Sequence, residues 1–208
     1  MPPSRLLAGL LVACCLLLST DAAGAEAGTD TAAAPIASPA AIDPRLGAIV
    51  AMMPAELAGL PLDEHVQAAT GEQIAGVMRP SEAALLGALL VTHGKSLDDY
   101  VAASTWLRFG ESLALVLQAH RIAGVDAATT VDDWVEILSQ HLSRPKAGSR
   151  TVAGRQMTTL ADAAAPELPP VYLLPADDVL WMIWTGDEAM AETAVLTLDA
   201  EAKPKDTG

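Results

Sequence analysis

The residues that could do chemistry in this chain are four histidines, a series of paired acids and one Gly-Lys-Ser triplet. The histidines are His65, His93, His120 and His141. No two of them stand at H-x-x-x-H spacing, so no helix face offers a pair of metal ligands. His93 and His141 fall in the last turns of predicted helices, where a cation suits the dipole. His120 falls on a predicted strand beside Gln118. The spacing therefore predicts scattered structural histidines, with no metal and no cofactor.

The acidic pairs are Asp63-Glu64, Asp98-Asp99, Asp132-Asp133, Asp177-Asp178 and Asp187-Glu188. Adjacent carboxylates can bind calcium or carry acid–base work. None lies in a D-x-[DN]-x-[DN]-G loop. Most sit at predicted helix starts or turns, where capping explains them. Acid catalysis through Asp98, Asp132 and Asp177, in an unrecognised hydrolase, is the remaining enzymatic alternative. No G-x-S-x-G elbow occurs. Gly94-Lys95-Ser96 ends a predicted helix, whereas a phosphate loop opens one, and Leu89 stands where that loop needs a glycine. A basic cluster, Arg144, Lys146, Arg150 and Arg155, reads as a solvated "RPKAGSR" loop leading into a hairpin. The alternative is a site for an anionic wall polymer or lipid headgroup.

These residues need elements to hold them. Asp43 and Pro44 read as the cap and first residue of a helix that stops at Pro54. "SEAALLGALLVTHG" (81–94) is a helix ending at Gly94. "TVDDWVEILSQHL" (130–142) is a helix capped by Thr130, with Val131, Trp134, Val135, Leu138 and Leu142 on one stripe. "TGDE" (185–188) is a capping box opening a last helix through Leu198. "LPLDEHVQAATGEQI" (60–74) reads as extended. "VAASTWLRF" and "LALVLQAHRI" flank a hairpin turn, "RTVAGRQMTTL" turns about Ala153-Gly154, and "PVYLL" and "VLWMIWT" flank Pro175–Asp178. Hairpin, link and helix occur at 101–143 and again at 171–198, a weak architectural repeat.

"VLWMIW" (179–184) is apolar at every position. As a strand it points Val179, Trp181 and Ile183 one way and Leu180, Met182 and Trp184 the other. Helices 130–143 and 185–198 can cover one of these faces. A face left open would be a partner surface, and Leu180, Met182 and Trp184 are the candidates for it. The predicted fold is a single α+β domain of antiparallel hairpins, with helices packed mainly on one sheet face.

The chain has 208 residues and a formal net charge of −14. That charge repels phosphate backbones and anionic surfaces, which argues against nucleic-acid binding. The two cysteines are adjacent, Cys14 and Cys15, and offer neither a disulfide framework nor a zinc site. They lie in "MPPSRLLAGLLVACCLLLSTDAAGA" (1–25). Arg5, an apolar run over 6–18 and Ala23-Gly24-Ala25 make this a signal peptide with an A-x-A cleavage site. The run is shorter than the roughly 20 residues of a spanning helix. Two alternatives stand beside cleavage near Ala25: an uncleaved anchor, and lipidation of Cys14 through the lipobox-like "LVAC" (11–14). In each case the protein works outside the cytoplasm. Residues 26–42 form an Ala/Pro/Thr-rich spacer, 43–198 the globular domain and 199–208 a disordered polar tail.

"HGKSLDDYVAA", "AHRIAGVDAATTVDDWVEIL", "RTVAGRQMTTLAD" and "VYLLPADDVLWMIWTGDEAMAETAVLTL" follow one another in an order that resembles uncharacterised extracytoplasmic domains of bacteria. Many of those domains carry a signal peptide or lipobox and an Ala/Pro/Thr spacer. The resemblance implies a secreted or lipoprotein-like α+β domain, with no assigned activity and no catalytic residue to carry over. The expected function is a non-enzymatic binding or envelope-associated module of unknown ligand, with an envelope component or a second copy of the chain as the candidate partners. The alternative is a structural domain that self-associates through an apolar sheet face, meeting the membrane only through its signal or lipid anchor.

Overall fold

The computed structural model describes residues 43–57, 59–62, 66–109 and 112–202. The leader with Cys14, the spacer, Asp63, Glu64 and His65 lie outside the described residues. Asp43 does cap the first helix: its Oδ1 accepts the Arg45 N–H at 2.9 Å, ahead of α1 (Pro44–Val50). Two short strands follow, β1 (Glu56–Leu57) and β2 (Leu60–Pro61), paired with each other.

The stretch expected to be extended divides in two. Gln67–Thr70 is a strand, β3, and Gly71–Val77 is a helix, α2. A capping box makes the switch: Gln73 Oε1 accepts the Thr70 N–H at 2.9 Å, and Thr70 Oγ1 accepts the Gln73 N–H at 3.5 Å. Gly71 is obligatory here, since a Cβ would stand 2.3 Å from the Leu97 carbonyl oxygen. α3 (Pro80–Thr92) then ends in a Schellman turn. Lys95 N–H bonds the Leu90 carbonyl at 2.8 Å, Gly94 N–H bonds that of Val91 at 2.9 Å, and Gly94 has φ +67°. This geometry supports a helix end, not a phosphate loop.

The remaining elements are β4 (Tyr100–Phe109), β5 (Ser112–Ile122), α4 (Val131–Ser139), β6 (Pro145–Val152), β7 (Arg155–Asp162), β8 (Val171–Ala176), β9 (Val179–Trp184) and α5 (Glu188–Ala202). Seven strands form one antiparallel sheet in the order β3-β4-β5-β9-β8-β7-β6. The β6–β7 turn is at Ala153-Gly154, with φ +49° and +80°, as expected of a tight hairpin. The "RPKAGSR" segment is not a loop, because its residues from Pro145 onward are edge strand β6 in register with β7.

Two helix caps sit elsewhere than expected. Thr130 Oγ1 donates to the Ala127 carbonyl at 2.9 Å instead of capping, and Asp126 caps a short 3-10 turn one step earlier. At α5, Thr185 Oγ1 donates to the Ala114 carbonyl at 3.0 Å, and Asp187 Oδ1 accepts the Ala189 N–H at 2.9 Å. α5 also continues past Leu198 to Ala202, and Arg155 Nη1 holds Asp199 Oδ1 at 2.7 Å in that last stretch.

The α+β class with antiparallel hairpins is as the sequence predicts. The helices divide between the faces. Val179, Trp181 and Ile183 pack with Ile49 of α1 and with Ala191, Ala194, Val195 and Leu198 of α5. Leu180 and Met182 pack with Leu86, Leu89 and Leu90 of α3 and with Trp134 and Ile137 of α4. Strands β8 and β9 are apolar on both faces, and both must be covered to remove that area from water, at about 25 cal/mol per Å². The two hairpin–helix units thus send their helices to opposite faces. A twofold axis normal to the sheet would keep them on one face, so the repeat is not a symmetric duplication.

Candidate functional site

β9 is the middle strand of the sheet. Leu180 and Met182 are each 1% exposed. Trp184 is half-buried, and its Nε1 donates to Gln118 Oε1 at 3.0 Å. Leu180 and Met182 are therefore core, covered by α3 and α4, while Trp184 stays partly open.

A different site forms on the same side of the sheet. β4 and β5 pair so that Ala102 faces His120 and Ser104 faces Gln118. Alternation turns these four residues, with Tyr100 and Met182, toward α4. Ala102 is small, so a cleft of about 80 Å³ opens above it. Ile74, Val77 and Met78 from α2 and its end, Glu82 from α3, and Trp134, Ile137 and Leu138 from α4 close its walls. His141, just beyond α4, lines it too.

Three rings cluster in this cleft. His120 and Trp134 have centroids 4.7 Å apart, Tyr100 and Trp134 5.9 Å, and Tyr100 and His120 6.1 Å. The Tyr100 hydroxyl lies 2.7 Å from His120 Nδ1. Burial pushes the His120 pKa down to about 3, so the imidazole is neutral at ordinary pH. Its other nitrogen, Nε2, is enclosed and has no hydrogen-bond partner among the described residues.

A second polar group stands at the other end. Glu82 is 1% exposed. Its Oε1 lies 3.4 Å from His141 Nε2 and 3.5 Å from Arg79 Nε, and makes no well-formed hydrogen bond. Burial lowers the His141 pKa against the opposing pull of Glu82, and its Nδ1 is enclosed without a partner. Each enclosed unpaired polar atom costs about 1–3 kcal/mol. Two such atoms, His120 Nε2 and His141 Nδ1, belong to residues that line the cleft, whereas Glu82 Oε1 is held by its two ion pairs.

No protein-family model, curated protein or solved structure matches this chain. The cleft is read from its own geometry.

Of the histidines, His120 and His141 come together in one cleft, although the sequence predicts them scattered. His93 stays at the C-cap of α3, as predicted. Among the described residues, no three His, Cys, Asp or Glu side chains group as metal ligands. The acidic pairs inside the described residues serve local structure. Asp99 Oδ2 accepts the Ser96 N–H at 2.9 Å, Asp178 pairs with Arg121 at 2.7 Å, and Asp132 and Asp133 lie in the first turn of α4. In the basic cluster, Arg150 pairs with Glu188 at 3.3 Å and Arg155 with Asp199 at 2.7 Å, both on α5. Arg144 and Lys146 remain exposed on the run into the sheet edge. A Ser-x-x-Lys spacing, Ser143 and Lys146, escaped the sequence reading; both residues are exposed there, in no enclosed site.

The signal for the cleft was present in part. Gln118 and His120 are polar residues on the α4-facing side of β5, among Ala114, Val116 and Ile122. Trp134, Leu138 and His141 are spaced i, i+4 and i+7, one helical face. Nothing in the sequence joins that face to β5 or to Glu82, which is 59 positions before His141.

Proposed function

We propose that this chain is an extracytoplasmic, non-enzymatic binding module that takes a small ligand into the cleft between α2, α3, α4 and the sheet. The leader and spacer support the location. The observation that carries the binding reading is a mostly apolar cleft whose lining gathers the polar side chains of His120, Glu82 and His141. The apolar part of a ligand would displace water from Ile74, Val77, Met78 and Leu138, the lining residues that remain partly open. Two of these polar groups, Glu82 and His141, face each other at 3.4 Å.

The test is a fragment screen by NMR on the chain without its leader. Ala102→Leu fills the cleft from its floor and serves as the control. Fragment-induced shifts gathered at Trp134, Met182 and Met78, and lost in the Ala102→Leu variant, are expected. Shifts gathered elsewhere, or unchanged by the variant, would contradict the reading.

A further inference from the structure

We infer that β6 is a docking edge, to which an extended, acidic segment of another protein adds as a further strand of the sheet. The inference does not depend on the cleft. β6 ends the strand order, and among the described residues it pairs with β7 alone. Every residue of it except Val152 is exposed.

The register shows which backbone groups are open. Val152 and Arg155 flank the two-residue turn Ala153-Gly154, so they exchange hydrogen bonds with each other. From there the pairs alternate, and Lys146, Gly148 and Arg150 also give their backbone groups to β7. The Ala163 N–H bonds the Arg144 carbonyl at 2.8 Å, which continues the same phase. Ala147, Ser149 and Thr151 therefore point their N–H and C=O groups away from the sheet. The two strands stay in register from end to end without a bulge. The open groups thus form a regular row, about 7 Å apart, to which an extended chain can bond. The opposite edge differs. β3 is only four residues long, none of them exposed, and packs with α1.

The side chains select the partner. Val152 packs in the core with α1 and α5, so Lys146 and Arg150 lie on its side of the sheet. Arg144, one step before the strand, continues this row of cations. Lys146 forms no salt bridge among the described residues. Arg150 reaches Glu188 at 3.3 Å, but both side chains are more than half exposed (51% and 65%), so water weakens that pair. An added strand with carboxylates at alternate positions sets them beside these cations. A second copy fits worse. Its β6, laid antiparallel, sets its own Lys146 and Arg150 against or diagonally across from the same residues, and like charges there repel. The net charge of −14 opposes an acidic partner at long range. Screening confines that field to about 8 Å at physiological ionic strength, so the cations nearest the edge decide.

The experiment uses the chain without residues 1–25, which keeps every described element. The probes are the blocked peptide Thr-Glu-Val-Glu-Val-Glu-Thr and the same peptide with Lys in place of Glu. Binding is read by calorimetry and by hydrogen exchange at single amides. In the free chain the Ala147, Ser149 and Thr151 amides should exchange fast, and the acidic peptide at saturation should slow them at least about tenfold. The basic peptide is expected to bind at least about tenfold more weakly. Lys146→Glu should weaken the acidic peptide roughly threefold to tenfold. Ser149→Pro removes an outward N–H and no bond to β7, and should weaken it at least about tenfold. Binding that falls with Lys146→Glu and survives Ser149→Pro is attraction by charge alone, as for any anionic polymer, and overturns strand addition. If Ser149→Pro disturbs the β7 amides, the exchange pattern of the native chain decides. Outward amides that are already slow in the free chain, or unmoved by the acidic peptide, overturn the inference, as does no binding at millimolar peptide.

Discussion

The Tyr100 hydroxyl and His120 Nδ1 lie 2.7 Å apart across the β4–β5 pair, a diagonal contact made possible by Ala102 opposite His120. The bond fixes the plane of the imidazole, whose second nitrogen is enclosed by the protein. It also joins the sheet to α4 through the Trp134 ring. Tyr100→Phe removes the hydroxyl and orphans a second nitrogen of His120. Stability should fall by about 1–3 kcal/mol, read as a lower denaturant midpoint with unchanged slope. A variant as stable as the parent, with unchanged His120 imidazole signals, would show that the bond is not formed in solution.

The pH dependence follows from the neutral imidazole. In the folded chain the His120 pKa is about 3, against 6.5 when unfolded. Between those values the unfolded state binds a proton that the folded state refuses, so stability rises with pH across this window. It is complete above about pH 6.5 and is lost as pH falls toward 3. His141, also lowered by burial, adds to the same slope. NMR should show no His120 titration between about pH 5 and 8. His120→Phe should make the acid limb of the stability curve shallower. A His120 that titrates near its usual value would contradict the burial.

Glu82 pulls the His141 pKa upward against burial. Glu82→Gln removes that pull while keeping the shape of the side chain. The His141 titration midpoint should therefore move to lower pH, measured by imidazole NMR. An unmoved midpoint would mean that the two groups do not face each other in solution.

The correction at β9 also makes a prediction. Leu180 is core, packed under α3 and α4. Leu180→Ala should cost about 2–5 kcal/mol of stability, as buried leucines do. A cost under about 0.5 kcal/mol, the range of surface substitutions, would restore that face as exposed.

Local chemistry made much of the fold legible. The Ala153-Gly154 turn, the Gly94 stop and the Asp43 cap each involve residues within a few positions of one another, and each is where its residue types predict. "VLWMIW" is a strand, and the strand is central, because nothing else accounts for six apolar residues in a row before a helix. What covers its two faces was not legible, because the partners are helices far away in sequence. The caps at Thr130 and Thr185 were misread for a related reason. Both hydroxyls turn to backbone carbonyls, Ala127 and Ala114, and neighbouring aspartates take their place. α2 was missed although Thr70-x-x-Gln73 is a capping box, because the residues before it are extended and the pattern changes period at Gly71. The cleft is the least local feature. It needs β4, β5, α2, α3 and α4 at once, and only the polar residues on an apolar strand hinted at it.

The most direct test is a crystal structure of the chain purified from its own source without a leader, at a resolution that shows bound small molecules. The cleft reading predicts density for a small molecule against Ile74, Val77, Met78 and Leu138, above Ala102. A cleft closed by its own side chains would contradict it.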